Sequence, residues 1–149
     1  MKEIANTASV QQQVREGWLR QRHATPGTAA STAAHHLASA ATNIDSARTI
    51  IDIDLAGSAI LTALAGRRAL VGFVYAYGYT GGSSQTLIEF AEAVLTDKKD
   101  LLSGLADWLY RSSDLDDHTD LFEPVTRAEV EYALTITTEF IRTATDAIA

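Results

Sequence analysis

The chain has no cysteine. Disulfide frameworks, thiolate zinc sites and cysteine nucleophiles are therefore excluded. Proline is nearly absent, with one at position 26 and one at 124, so long uninterrupted helices are permitted. The N-terminal stretch MKEIANTASVQQQ lacks an apolar core of signal-peptide length. The most apolar run, Ala69 to Tyr79, is too short to cross a bilayer and holds two glycines. The expectation is a cytoplasmic protein with no membrane attachment. Basic residues are outnumbered, 12 against 19 acidic, for a net charge of −7. That argues against a broad nucleic-acid-binding surface, which needs lysine and arginine to neutralise phosphates, but leaves room for a small local site.

What is present is 149 residues, 46% of them hydrophobic, rich in alanine and aliphatics. A chain of this size most simply makes one domain. It buries roughly two-thirds of its unfolded surface without needing a metal or disulfide staple. Residues 1–27 read as an N-terminal arm, locally basic through Arg15, Arg20, Arg22 and His23. Val14, Trp18 and Leu19 make a short amphipathic turn, with Trp18 packing on the body or the basic arm touching RNA or a partner. Pro26-Gly27 breaks the chain. Residues 28–149 read as a helical bundle domain.

Within that domain the apolar residues Ala33, Leu37, Ala40, Ile44, Ala47 and Ile51 step by threes and fours, the stripe of an amphipathic helix. His35 and His36 are adjacent, so on a helix they diverge by about 100° and cannot form an i, i+4 metal pair. Asp52 or Asp54 caps the next helix, which runs to about Tyr77. That helix is apolar nearly all round, the mark of a central element. Ala59, Ala63 and Gly66 let a neighbour approach closely, and Arg67 and Arg68 are expected to pair with carboxylates at the core rim. Tyr79 to Ser84 reads as a flexible turn with a serine cap; its Gly81-Gly82 lacks the GxxxxGK[ST] pattern of a phosphate loop. A third helix carries Leu87, Phe90 and Val94. Asp97 is placed to cap a fourth, whose Leu101, Leu102, Leu105, Trp108 and Leu109 face inward. Thr126 and Glu129 form a capping box that opens the last helix, with Val130, Leu134, Thr137, Ile141, Ala144 and Ile148 on one face. Five helical segments with short connections predict an all-α, antiparallel four-to-five-helix up-and-down bundle.

The one polar cluster with chemical potential is WLYRSSDLDDHTDLF, Trp108 to Phe122. Arg111 precedes His118 by seven positions, between the fourth and last helices. Arginine donates a two-pronged fork to phosphate, and histidine titrates near neutrality as an acid or base. On one continuous helix the two would stand about 10 Å apart along the axis, so a loop that folds back or a second copy must close the gap. The same residues admit a different reading. Asp107, Asp114, Asp116, Asp117, Asp120 and Glu123 surround the pair and would make a solvated acidic loop, with Arg111 held by Asp107 or Asp114. This field repels RNA and favours protonated His118. Asp114, Asp116, His118 and Asp120 alternate as metal ligands would, but the glycine and terminal glutamate of a calcium loop are missing, as are the paired Glu-x-x-His motifs of diiron bundles.

The helical pattern over residues 28–146 resembles the HEPN superfamily of small helical domains. The segment from Asp54 to Tyr79, with RRAL and a closing YGY, looks like that family's long second helix. GGSSQTLIEFAEAVL looks like its third and PVTRAEVEYALTITTEFI like its final helix. RNA-cleaving members carry an Arg-x(4–6)-His motif at this place, and Arg111-SSDLDD-His118 fits its longest form. The position after Arg111 is serine and the position two after His118 is Asp120, both departures from common family residues. The resemblance implies a metal-independent endoribonuclease without cofactor, working as a homodimer with a composite site. His118 would be general acid or base and Arg111 would hold the phosphate, leaving a 2′,3′-cyclic phosphate. It further implies RNA as substrate and a toxin's role opposite a nucleotidyltransferase-type antitoxin. The alternative from another class is a catalytically inactive helical dimerisation or interaction module. A third is binding of a nucleotide or small ligand between helices.

Overall fold

The computed structural model describes residues 8–22, 25–113 and 125–149. Among the described residues the protein is an all-α bundle of six helices with a small two-stranded ribbon. In chain order these are α1 (Ala8–Arg15), β1 (Leu19–Gln21), α2 (Pro26–Ile50), α3 (Leu55–Ala76), β2 (Tyr79–Gly81), α4 (Ser84–Val94), α5 (Lys99–Ser113) and α6 (Arg127–Ile148).

Helix α2 starts before the expected Thr28. Pro26 does not break the chain. It occupies the first turn behind the N-cap Thr25, whose side chain accepts from the Thr28 amide. Proline belongs there because its missing N–H would have no helical partner. Of the predicted stripe, Ala33, Leu37, Ala40, Ile44 and Ala47 are buried, Ala29 joins them, and Ile51 is the partly buried C-cap. Asp54 caps α3 by accepting from the Gly57 amide at 2.8 Å, and Ser83 caps α4 in the same way through Thr86. Asp97 does not cap α5. Lys98 holds that position, its carbonyl accepting from the Leu102 amide at 3.0 Å.

Helix α3 is the hub, packing against α2, α4, α5, α6 and β2. By length and composition it is the one helix among the described residues apolar enough to cross a membrane, and 61% of its most apolar stretch is buried inside the protein. Its glycines let neighbours in. A Cβ at Gly66 would lie 3.0 Å from Leu105 and 3.3 Å from Leu109 of α5. One at Gly72 would lie 2.8 Å from the Cβ of His36 and 3.1 Å from the Ala33 carbonyl oxygen. The centre of the core is aromatic: Phe73, fully buried, meets Tyr77, Phe90 and Phe140 edge-on with ring centroids 5.2, 6.3 and 6.1 Å away.

Helices α2, α3, α5 and α6 alternate in direction, as an up-and-down bundle requires, but α4 does not. Gly78, at φ +87°, follows the C-cap of α3 in the left-handed conformation that ends helices. The chain then doubles back through β2. Arg67 reaches Ser84 and Phe73 reaches Phe90, so α4 runs parallel to α3. What the sequence presents as a flexible turn is partly this strand.

Residues 8–21, assigned to the arm, pack on the body. Val10 and Leu19 are in the core, and β1 pairs antiparallel with β2, Leu19 opposite Gly81 and Arg20 opposite Thr80. Gln13 is buried and donates to the Thr86 carbonyl at 3.3 Å and the Glu89 carboxylate at 2.9 Å. Trp18 does not pack on the body as expected: it is 55% exposed while Leu19 beside it is 1% exposed.

Candidate functional site

Arg111 lies in the last turn of α5, where a cation suits the partial negative charge of a helix C-terminus. Its guanidinium sits 5.6 Å from the ring centroid of Trp108, one turn earlier and buried, within the range of a cation–π contact. Its ion-pair partner is Glu129 on α6, rather than Asp107. Asp114, the other partner expected for Arg111, lies outside the described residues. The pair is about two-thirds buried at each end, with side-chain exposures of 36% and 40%.

Glu129 has two tasks. It is the third residue of α6, and its Oε1 accepts from the Thr126 amide at 3.0 Å while the Glu129 amide donates to the Thr126 hydroxyl oxygen at 3.1 Å. This is the predicted capping box, present in full. The other carboxylate oxygen takes Arg111. The Thr126 backbone amide, then the Arg111 guanidinium, hold the Glu129 carboxyl at a pKa of about 2, against 4.5 ordinarily. One carboxylate thus closes the N-terminus of α6 and clamps it to the C-terminus of α5. Both described ends of the α5–α6 connection meet at this joint.

A carboxylate with a folded-state pKa below its unfolded value stabilises the fold fully above pH 4.5. That contribution is lost as pH falls through about 2. Urea unfolding of the wild type is therefore expected to weaken more steeply between pH 4.5 and 2 than that of Glu129→Gln, which keeps an acceptor but has no carboxyl to titrate. Equal pH slopes for the two proteins would remove Glu129 as the acid-sensitive group.

The remaining candidates are elsewhere. His118 lies outside the described residues, as do Asp114, Asp116 and Asp120, so the structure does not describe the Arg111–His118 geometry or the alternating acidic set. Among the described residues no group of three histidine, aspartate or glutamate side chains could hold a metal ion. His35 and His36 diverge on α2, with ring centroids 6.2 Å apart. Burial, then the neighbouring His35 and Arg68, push the His36 pKa down. Among the described residues Arg67 and Arg68 meet no carboxylate. Arg67 donates to the Gly82 carbonyl at 2.6 Å and to Ser84 Oγ at 3.0 Å, and Arg68 to Asn43 Oδ1 at 3.4 Å. Their neutral acceptors pin the Gly82–Ser84 turn and α2, so both arginines hold structure.

Sequence reasoning places Arg111 but misses its partner. The signal is available, because a capping-box glutamate has one oxygen left over for a neighbouring cation. Sequence reasoning offers Trp18 packed on the body or a basic arm touching RNA or a partner, but not the cleft that the indole and Arg20 line with Thr80 and the Gly81–Ser83 turn. No family model, curated protein or solved structure matches the chain.

Proposed function

We propose that the protein is a HEPN-like, metal-independent endoribonuclease that acts in the cytoplasm as a homodimer, the toxin of a toxin–antitoxin pair opposed by a nucleotidyltransferase-type antitoxin. The observation that supports this reading is the joint itself. Arg111 is pinned by Glu129 where α5 ends and α6 begins, the two elements between which His118 falls in the sequence. In the reaction, the ribose 2′-oxygen attacks the adjacent phosphorus as His118 takes its proton. The bond to the leaving 5′-oxygen breaks as a proton is returned to it, leaving a 2′,3′-cyclic phosphate and a 5′-hydroxyl. Arg111 would hold the phosphate oxygens as charge develops, an electrostatic role suited to a pre-oriented guanidinium.

A second reading, a catalytically silent dimerisation or interaction module, has its own support. Glu129 already compensates the Arg111 charge. In addition, a groove of about 580 Å³ between α2 and α6 is lined by small and apolar side chains, among them Ala34, Leu37, Ala38, Ala41, Ile141 and Ile148.

One experiment separates the readings. Purified protein is incubated with a single-stranded RNA and a chelator, beside Arg111→Ala and His118→Ala, and its mass in solution is measured. The ribonuclease reading expects cleavage by the wild type, with a loss of about 10²-fold or more when the acid–base histidine is removed. A dimer that cleaves nothing supports the module. A monomer without activity overturns both.

A further inference from the structure

The second surface that the sequence leaves unread is the cleft beside Trp18. It measures about 420 Å³ and is lined by Trp18, Arg20, Thr80, Gly82 and Ser83 among others. A smaller lobe of about 130 Å³ shares Trp18, Ser83 and Thr86 with it and is further lined by Gln85 and Glu89. Their sum falls in the range of pockets that hold small organic ligands.

The exposure of Trp18 is built into the backbone. Gly17, at φ +76°, turns the chain out of α1 in a conformation that costs other residues energy. The Trp18 amide is tied to the Gln13 carbonyl at 3.0 Å. Leu19, the first residue of β1, enters the core, while Trp18 before it and Arg20 after it stay exposed and line one cleft. A large aromatic surface is thus held in water by a turn, a strand and a buried neighbour.

The arginines of the molecule divide by partner, and Arg48, Arg67 and Arg68 are met by neutral acceptors. Arg111, Arg127 and Arg142 each engage a carboxylate. Among the described residues Arg15, Arg20 and Arg22 engage none, and Arg22 lies 5.6 Å from the Tyr75 ring centroid. In a chain of net charge −7, three arginines and one glutamate, Glu16, fall within the eight positions around the exposed indole, and Arg20 is the charged residue that lines the larger cleft. An exposed aromatic plane next to uncompensated guanidinium groups is the combination that stacks a nucleobase and holds its phosphate. Glu89, in the smaller lobe, repels phosphate and accepts hydrogen bonds, so that lobe suits the edge of a base.

We propose that this cleft binds a nucleotide unit, with the base stacked on Trp18 and its edge toward Glu89, and the phosphate beside Arg20. The site uses neither Arg111 nor His118 and stands whether or not the protein cleaves RNA. The ligand is a free nucleoside monophosphate or one residue of a single-stranded RNA, and the two share this chemistry.

Calorimetric titration of the full chain with AMP, CMP and a 2′-O-methylated hexanucleotide, which no 2′-hydroxyl chemistry can cut, tests the site. Trp18→Ala is expected to weaken binding about 5- to 150-fold, the range that base–aromatic stacking supplies, and Trp18→Phe to restore part of it. Arg20→Ala is expected to weaken binding and flatten its salt dependence by about one charge. Both side chains project from the surface, so the thermal midpoint should hold within the small range of surface substitutions. Comparable affinity for monophosphate and hexanucleotide identifies a free-nucleotide site, and much tighter hexanucleotide binding identifies a strand-binding site. The proposal is overturned if the wild type binds none of the three, or if binding is indifferent to Trp18→Ala and Arg20→Ala.

Discussion

Phe73→Ala is expected to remove about 3–5 kcal/mol of stability, the range for deleting a buried aromatic side chain. A domain of this size has about 5–15 kcal/mol in all, so the variant sits near the edge of folding. Its thermal midpoint should fall by about 10 °C or more. The reason lies in position. Phe73 is fully buried in the last turn of the hub helix, and its ring is shared by the C-cap Tyr77, Phe90 of α4 and Phe140 of α6. Truncation leaves a cavity that no single neighbour can fill, because each is anchored to a different element. Edge-on ring contacts add about 0.5–1.5 kcal/mol per pair beyond buried area. Phe73→Leu, which keeps most of the volume, should lose markedly less. A midpoint for Phe73→Ala within about 2–3 °C of the wild type, the shift of a far smaller loss, would contradict this account of the core.

The second large effect concerns backbone spacing. Gly72→Val is expected to destabilise by about 1–3 kcal/mol or more, the cost of overpacking. The added Cβ would fall 2.8 Å from the Cβ of His36 and 3.1 Å from the Ala33 carbonyl oxygen. Both belong to the facing turns of α2, so the helices themselves must move apart. Glycine inside a helix forfeits about 0.5–1 kcal/mol relative to alanine, and at position 72 the close approach of α2 is the compensating gain. Gly27 provides the contrast. It too is helical, but a Cβ there would meet nothing within 4 Å, and its φ is not positive. Gly27→Ala should therefore be neutral or gain about 0.4–1 kcal/mol. Chemical denaturation of the two variants should give opposite signs, and a stable Gly72→Val would mean that α2 and α3 do not pack this closely.

The features legible in the sequence are those fixed by a few neighbouring residues. The α2 stripe can be read because Ala33, Leu37, Ala40, Ile44 and Ala47 repeat with the helical period. The α6 start can be read because Thr126 and Glu129 carry the whole capping motif within four residues. The features that escape depend on residues far apart in sequence. General grounds match Arg67 and Arg68 to carboxylates, but only the folded chain brings Gly82, Ser84 and Asn43 to them. The parallel course of α4 follows from a three-residue strand pairing with another three-residue strand, too short for a periodic signal. Pro26-Gly27 reads as a break, although Thr25 before it supplies a cap. Of the site, Arg111 is legible as a residue. Its clamp is not, because Glu129 already has a sufficient local explanation as half of the capping box.

The return of β2 along α3 also ties the start of the described chain to its middle. Gln13 meets Glu89 across 76 positions, and contacts of such separation raise the loop-closure cost that slows folding. The seam they close is held on the strand side by a ribbon of three residues, and thinly held edges open before cores do. The Trp18 cleft straddles that seam. A molecule lodged in it would touch both strands of the ribbon, and the free energy of its binding would be added to the native state at that seam.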